Sequence, residues 1–244
     1  MRLEGPPFMV SFTLADLPLS FDSFDLAGST VGLVIVDEIN GFATPGQGPL
    51  APPGPDARVD AMIAETDRLA RRFDSEGRPI LVFLDSHRPG HPEPPYPPHC
   101  EIGTGQELLV PALSWLENSP RSTLVRKDCI NGFVGAIDPA TGRNAVVDWV
   151  NIHSLVSVLV VGICTDICVM DFVLTLLSAR NHGLMPSLQE VAVDEPGCAT
   201  FDLSRAEAEA QGLPPTATHP RDLTHHMGLY MMAARGARLI DTVS

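Results

Sequence analysis

Six short, mostly apolar runs punctuate the chain, at residues 30–36, 79–84, 123–126, 158–161, 191–193 and 238–240. Runs of this length fit strands buried on both faces of a sheet. Between them apolar and polar positions recur at helical spacing. Residues 56–73 place Val59, Ile63, Leu69 and Phe73 on one side, and 143–153, 169–180, 204–211 and 221–234 read as further helices. Residues 107–116 read as helical in part, and Pro196-Gly197 reads as a turn. Strands alternating with helices predict an α/β fold. The expected architecture is a doubly wound, mostly parallel six-stranded sheet with helices on both faces, a Rossmann-like three-layer arrangement. Residues 1–29 carry few periodic signals and read as an N-terminal arm on a single domain spanning 30–244; no repeat or linker divides it.

In parallel sheets, ligands bind outside the carboxyl ends of the strands. Here four successive strands end at Asp37, Asp85, Lys127 and the turn from Gly162 to Cys168. That turn leads into a helix, where free backbone N–H groups and the helix dipole favour a thiolate. Cys168 is therefore a candidate nucleophile, with Cys164, nearer the apolar run, fitting a small core residue. Asp37 and Lys127 are candidates for proton acceptor and charge stabiliser. Taken singly, Asp37 could be a turn cap and Lys127 a surface partner of Asp128. Moving a proton from a free thiol to a free Asp costs roughly 6 kcal/mol. Burial must raise the Asp, and the lysine and helix start must lower the thiol, for the pair to work.

The Pro-rich loop after Asp85 carries His87, His91, Glu93, Tyr96 and His99. Asp85 and His87, two apart, point the same way from an extended segment. With His99 they offer ligands suited to Zn²⁺, Fe²⁺ or Mn²⁺, and His91 and Glu93 compete for a fourth place. His225 and His226 are neighbours that cannot share a metal from one helix, so they read as supporting residues, and His219 as a loop residue.

Composition narrows the partners. A net charge of −14 over 244 residues argues against nucleic acid or an anionic membrane. No apolar run approaches the roughly 18 residues of a spanning helix, and the start of the chain does not read as a signal peptide. Five scattered cysteines do not form a secreted disulfide framework, so the expected setting is the reducing cytoplasm. The phosphate-loop and G-x-S-x-G motifs are absent. The acidic surface leaves a homo-oligomer open.

Five segments together resemble the isochorismatase-like cysteine hydrolases, and within them the nicotinamidases, plant and green-lineage members especially. These are D-x-x-N-x-F (Asp37, Asn40, Phe42), D-S-H (Asp85–His87), Y-P-P-H-C (Tyr96–Cys100), R-K-D-C-I-N-G-F (Arg126–Phe133) and G-I-C-T-D-I-C-V (Gly162–Val169). The wording of G-C-A-T-F-D-L and L-T-H-H-M-G-L-Y-M is similar to the same group. The resemblance implies an Asp37, Lys127, Cys168 triad, with backbone N–H groups of Cys164 and Cys168 as oxyanion hole after a cis Ile163–Cys164 peptide. It implies a divalent metal, zinc first, on Asp85, His87 and His99, holding a pyridine nitrogen between Phe42 and Tyr96. A further ligand His found in bacterial relatives has no match at His91, which leaves Glu93 or water as the fourth donor. Tyr96 stands where many relatives have Trp. The implied reaction is hydrolysis of nicotinamide to nicotinate and ammonia through a Cys168 thioester, a step of NAD salvage. Two alternatives are another amidohydrolase of this fold, acting on an N-carbamoyl or maleamate-type substrate, and a metallohydrolase using metal-bound hydroxide. The metal loop weighs against the first. A binding protein that keeps only the fold would not need the triad.

Overall fold

A computed structural model of the chain describes residues 16–28, 30–91, 93, 94, 96–210 and 212–244, so the first 15 residues of the expected arm lie outside the described ones. Its strands are β1 (Asp22–Phe24), β2 (Val31–Val36), β3 (Ile80–Asp85), β4 (Ser122–Lys127), β5 (Ser157–Ile163), β6 (Glu190–Ala199) and β7 (Arg238–Val243). The helices are α1 (Asn40–Ala43), α2 (Ala57–Ser75), α3 (Gly132–Gly135), α4 (Ala145–Ile152), α5 (Met170–Asn181), α6 (Arg205–Ala210) and α7 (Arg221–Ala233). Among the described residues no helix is long and apolar enough to cross a membrane.

All strand pairings are parallel, in the order β1-β7-β6-β5-β2-β3-β4. The sheet thus has seven strands rather than six. The extra one, β1, is three residues long with a single buried side chain, Phe24, too short to show a period in sequence. It forms because the chain's last strand offers it an edge, Asp22 standing opposite Ile240.

β2 shows why the layers form. All six of its residues are buried, and successive side chains enter opposite cores. Leu33 and Ile35 join Val59, Met62, Leu69 and Phe73 of α2, whereas Val34 and Val36 join Trp149 of α4, Phe172 of α5 and Leu229 of α7. Each such side chain, fully buried, contributes about 1.5–3 kcal/mol, so the strand ends stand on a rigid base. The Asp56 carboxylate caps α2 by accepting from the N–H groups of Arg58 and Val59. Met62 takes the inward place expected for Ile63, which is only half-buried.

Two local expectations change. Residues 107–110 are not helical, because Leu108 and Val110 bond the backbone of Asn40 and Glu38, and a 3₁₀ helix begins only at Pro111. Pro196-Gly197 is not a terminating turn but part of a bulge within β6, spanned by a hydrogen bond from Gly197 N–H to Asp194.

The winding places the site. The chain builds β2, β3 and β4 outward, then crosses back to set β5 on the other side of β2. The strand order reverses between β2 and β5, the crevice where doubly wound sheets bind ligands.

Candidate active site

β2 delivers Asp37, whose φ of +55° is a left-handed conformation that Asp tolerates better than most residues. Beside it β5 ends at Gly162. A Cβ there would lie 2.2 Å from the Val36 carbonyl oxygen, so only glycine lets the two strand ends approach this closely. The Ile163–Cys164 peptide is cis. Residues Thr165–Val169 then form a wide turn, closed by Val169 N–H donating to the Cys164 carbonyl at 3.1 Å, before α5 begins. Cys168 lies inside that turn and is buried.

Lys127, the last residue of β4 and the only lysine in the chain, is buried rather than paired at the surface with Asp128. Its Nζ donates to Asp85 Oδ1 and to the Cys129 carbonyl, each at 3.0 Å, and sits 2.8 Å from Asp37 Oδ2. The last contact is a close charge pair, poorly aligned for a hydrogen bond, and neither Asp37 oxygen holds an aligned donor. Asp37 therefore keeps lone pairs available for a thiol or a departing amine.

Burial pushes the Asp37 carboxyl up to about 6 against the opposing pull of Lys127, with Asp85 adding to the rise. Burial would also raise Asp85, but Lys127 and the two histidines hold it well below the carboxylate range. For Lys127, burial works against the charge, and Asp37, Cys168 and Asp85 together keep the ammonium form well above its usual limit. Cys168 departs from expectation. Burial raises its thiol well above the ordinary value, outweighing Lys127. The turn encloses the sulfur, and desolvation outweighs the expected help from a helix start. The resting pair is a thiol facing a carboxylate.

Asp85, His87 and His99, all buried, bring one ligand atom each to within 4.8 Å of one another. Asp85 Oδ2 is 2.9 Å from His87 Nε2 and 3.2 Å from His99 Nε2. His99 Nδ1 lies 2.8 Å from the Pro97 carbonyl, a contact that orients the ring and turns Nε2 inward. One carboxylate and two imidazoles fit a divalent metal. Glu93 Oε2 stands 3.9 Å and 4.0 Å from the two Nε2 atoms, while its Oε1 accepts from Ile130 N–H at 2.8 Å. His91 is exposed and outside the cluster. Phe42 and Tyr96 both flank His99, with ring centroids 5.7 Å and 6.0 Å from it.

Two residues gain partners that sequence reading did not supply. His225 is buried, with Nδ1 2.9 Å from Thr165 Oγ1, and His219 Nε2 is 2.8 Å from Asp166 Oδ2. The only sequence signal was the family-like wording around them. His226 is exposed and bonds its own helix.

A parallel three-layer α/β sheet with its polar side chains gathered at the crevice is the class that fold and site define. The isochorismatase domain matches residues 31–244, and the chain belongs to that family. Nicotinamidase 1 of Arabidopsis thaliana is 51% identical over 216 residues, covering 88% of this chain and 87% of that protein. Two solved structures share the fold. The pyrazinamidase/nicotinamidase of Streptococcus mutans superposes with a TM-score of 0.62 at 20% identity, covering 86% of this chain and 99% of that one. The pyrazinamidase of Pyrococcus horikoshii in complex with zinc gives 0.60 at 18% identity, covering 87% and 99%.

Proposed function

We propose that this protein is a nicotinamidase, hydrolysing nicotinamide to nicotinate and ammonia by way of a thioester on Cys168. The observation that carries the reading is the double engagement of Asp85. One oxygen meets Lys127 of the triad and the other faces two inward-turned histidines, so the lysine of the triad and a metal-ligand set meet on one carboxylate. A nucleophilic amidase needs only the first, and an anchor for a ring nitrogen accounts for the second. The identity to the Arabidopsis protein named Nicotinamidase 1 supports the same substrate, and with it a place in pyridine nucleotide salvage.

In this reading Phe42 and Tyr96 hold the ring between them beside His99. Asp85, His87 and His99, with Glu93 as fourth donor, would hold a divalent ion, which would supply Lewis acidity toward the pyridine nitrogen. Zinc fits the donor set and is the ion of the Pyrococcus horikoshii pyrazinamidase. Cys168 Sγ attacks the carboxamide carbon as its proton passes to Asp37, which burial makes a stronger base than a free aspartate. Backbone N–H groups of Cys164 and Cys168 take the developing oxyanion. Asp37 gives the proton to the leaving nitrogen and ammonia departs. It then takes a proton from the water that opens the thioester, and returns it to the thiolate. Lys127 stays charged throughout and keeps Asp37 ionised in a site that otherwise favours the neutral acid.

Ammonia release from nicotinamide tests the scheme, with wild type, Cys168→Ala and chelated enzyme side by side. Turnover by wild type with loss in Cys168→Ala is the expected result, and metal analysis of the purified protein is expected to find zinc. A Cys168→Ala variant that keeps substantial turnover would remove the thioester. Wild type that ignores nicotinamide but cleaves other amides would overturn the substrate and leave the triad standing.

A further inference from the structure

The turn that carries Cys168 is held from outside by the C-terminal segment, at two consecutive residues. Thr165 is fully buried, and its hydroxyl meets His225 Nδ1 of α7 at 2.9 Å; the other ring nitrogen of His225 faces Glu195 Oε1 at 3.3 Å. A ring donating to Glu195 through Nε2 accepts the Thr165 hydroxyl proton at Nδ1. Next along the turn, Asp166 Oδ2 is 2.8 Å from His219 Nε2, and His219 Nδ1 faces the Phe201 carbonyl at 2.9 Å. Both nitrogens of His219 point at acceptors, which suits the imidazolium form. The ring is stacked on Phe201, centroids 3.9 Å apart at 12°. A third contact completes the grip: a Cβ on Gly228 of α7 would lie 2.8 Å from Asp166 Cα, so helix and turn backbone touch directly. α7 is itself tied to the far layer, since Arg221 pairs with Asp56 at the start of α2 and Asp222 pairs with Arg58.

We propose that His219 and His225 are positioning residues for catalysis. Each fixes one residue between Cys164 and Cys168, and so fixes the spacing of the two backbone N–H groups assigned to the oxyanion. The proposal rests on the nicotinamidase reading for its kinetic consequence and on the geometry alone for its structural one. The interactions touch neither substrate nor sulfur. Their loss acts on the transition state, where a displacement of about 1 Å costs on the order of 10²-fold.

Two variants remove the grip with little change of shape: His219→Phe keeps the stack on Phe201 but loses both ring nitrogens, and Thr165→Val loses only the hydroxyl. Two others restore it: Asp166→Asn still accepts from His219, and Thr165→Ser still bonds His225. We expect kcat for nicotinamide to fall about 10- to 100-fold in the first pair with KM held within about twofold, and to stay within about threefold in the second. Hydrogen exchange followed by mass spectrometry should show faster exchange across residues 163–170 in the first pair, with β2 unchanged. Full kcat in His219→Phe and Thr165→Val overturns the proposal. So does a loss confined to KM, or exchange that rises evenly along the chain, which marks a general structural role. If wild type itself ignores nicotinamide, the substrate reading fails, and local exchange in the turn alone decides whether the two histidines hold it.

Discussion

The ends of β2 and β3 make an instructive pair. Both strands stop at a buried aspartate, and both aspartates reach the same lysine, at 2.8 Å and 3.0 Å. Yet burial pushes Asp37 up to about 6 while Asp85 is held well below the usual range. The difference lies in what else each carboxylate touches. Asp85 has an aligned ammonium donor and two imidazoles to satisfy its charge; Asp37 has one misaligned ammonium and a neighbouring negative charge. In the proposed reaction, two groups of one type, driven apart by their surroundings, would take opposite roles: a fixed anion that holds a cation, and a base that trades a proton.

Exchanging the two carboxylates one at a time tests that division. Asp37→Asn should cost about 10³-fold in kcat while the protein keeps its metal, measured by elemental analysis beside ammonia release. Asp85→Asn should instead lose the metal and raise KM for nicotinamide by about 10- to 100-fold, and chelation of wild type should do the same. If both variants lose metal and kcat alike, the carboxylates are not divided in role. The shared lysine sharpens the comparison through pH. Because Asp37 must be ionised to accept the thiol proton, kcat/KM for wild type should fall as pH drops through about 6. Lys127→Met removes the charge that favours ionised Asp37, so that acidic limb should move to higher pH. The variant should also lose about 3 kcal/mol in denaturant unfolding, because two buried carboxylates lose their cation.

The smallest effect on catalysis comes from a third buried aspartate with no lysine beside it. Burial raises Asp194 to about 7, with Glu65 adding to the rise, and one of its oxygens has no hydrogen-bond partner. From about pH 4 to 7 the folded chain holds a proton that the unfolded chain releases, so stability falls as pH rises across that window and levels off above it. Asp194→Asn should remove this slope, adding about 4 kcal/mol at pH 8 with unchanged kcat. A slope that persists assigns the titration elsewhere, Glu38 first, since burial raises it too.

Asp37, Asp85 and Lys127 were legible in the sequence because strands buried on both faces read as apolar runs, and chemistry stands out where each run stops. His87 and His99 were legible from type and spacing within one stiff loop. What escaped depends on distance or enclosure. His219 and His225 meet Asp166 and Thr165 across 53 and 60 residues, and no local pattern signals such pairings. β1 exists only because β7 is there to receive it. The direction of the Cys168 shift could not be read because a helix start suggests a thiolate, whereas enclosure by the folded turn sets the thiol's solvation.

Lys127 has a consequence of a different kind. The chain's other fifteen Lys-or-Arg positions are all arginine, and this one ammonium is sealed between two carboxylates. Amine-acylating reagents therefore meet no lysine on the folded surface. Acylation of Lys127 becomes a clock: its rate, followed as the mass increment on the peptide that carries it and apart from the fast-reacting α-amine, reports how often the carboxyl edge of the sheet comes open.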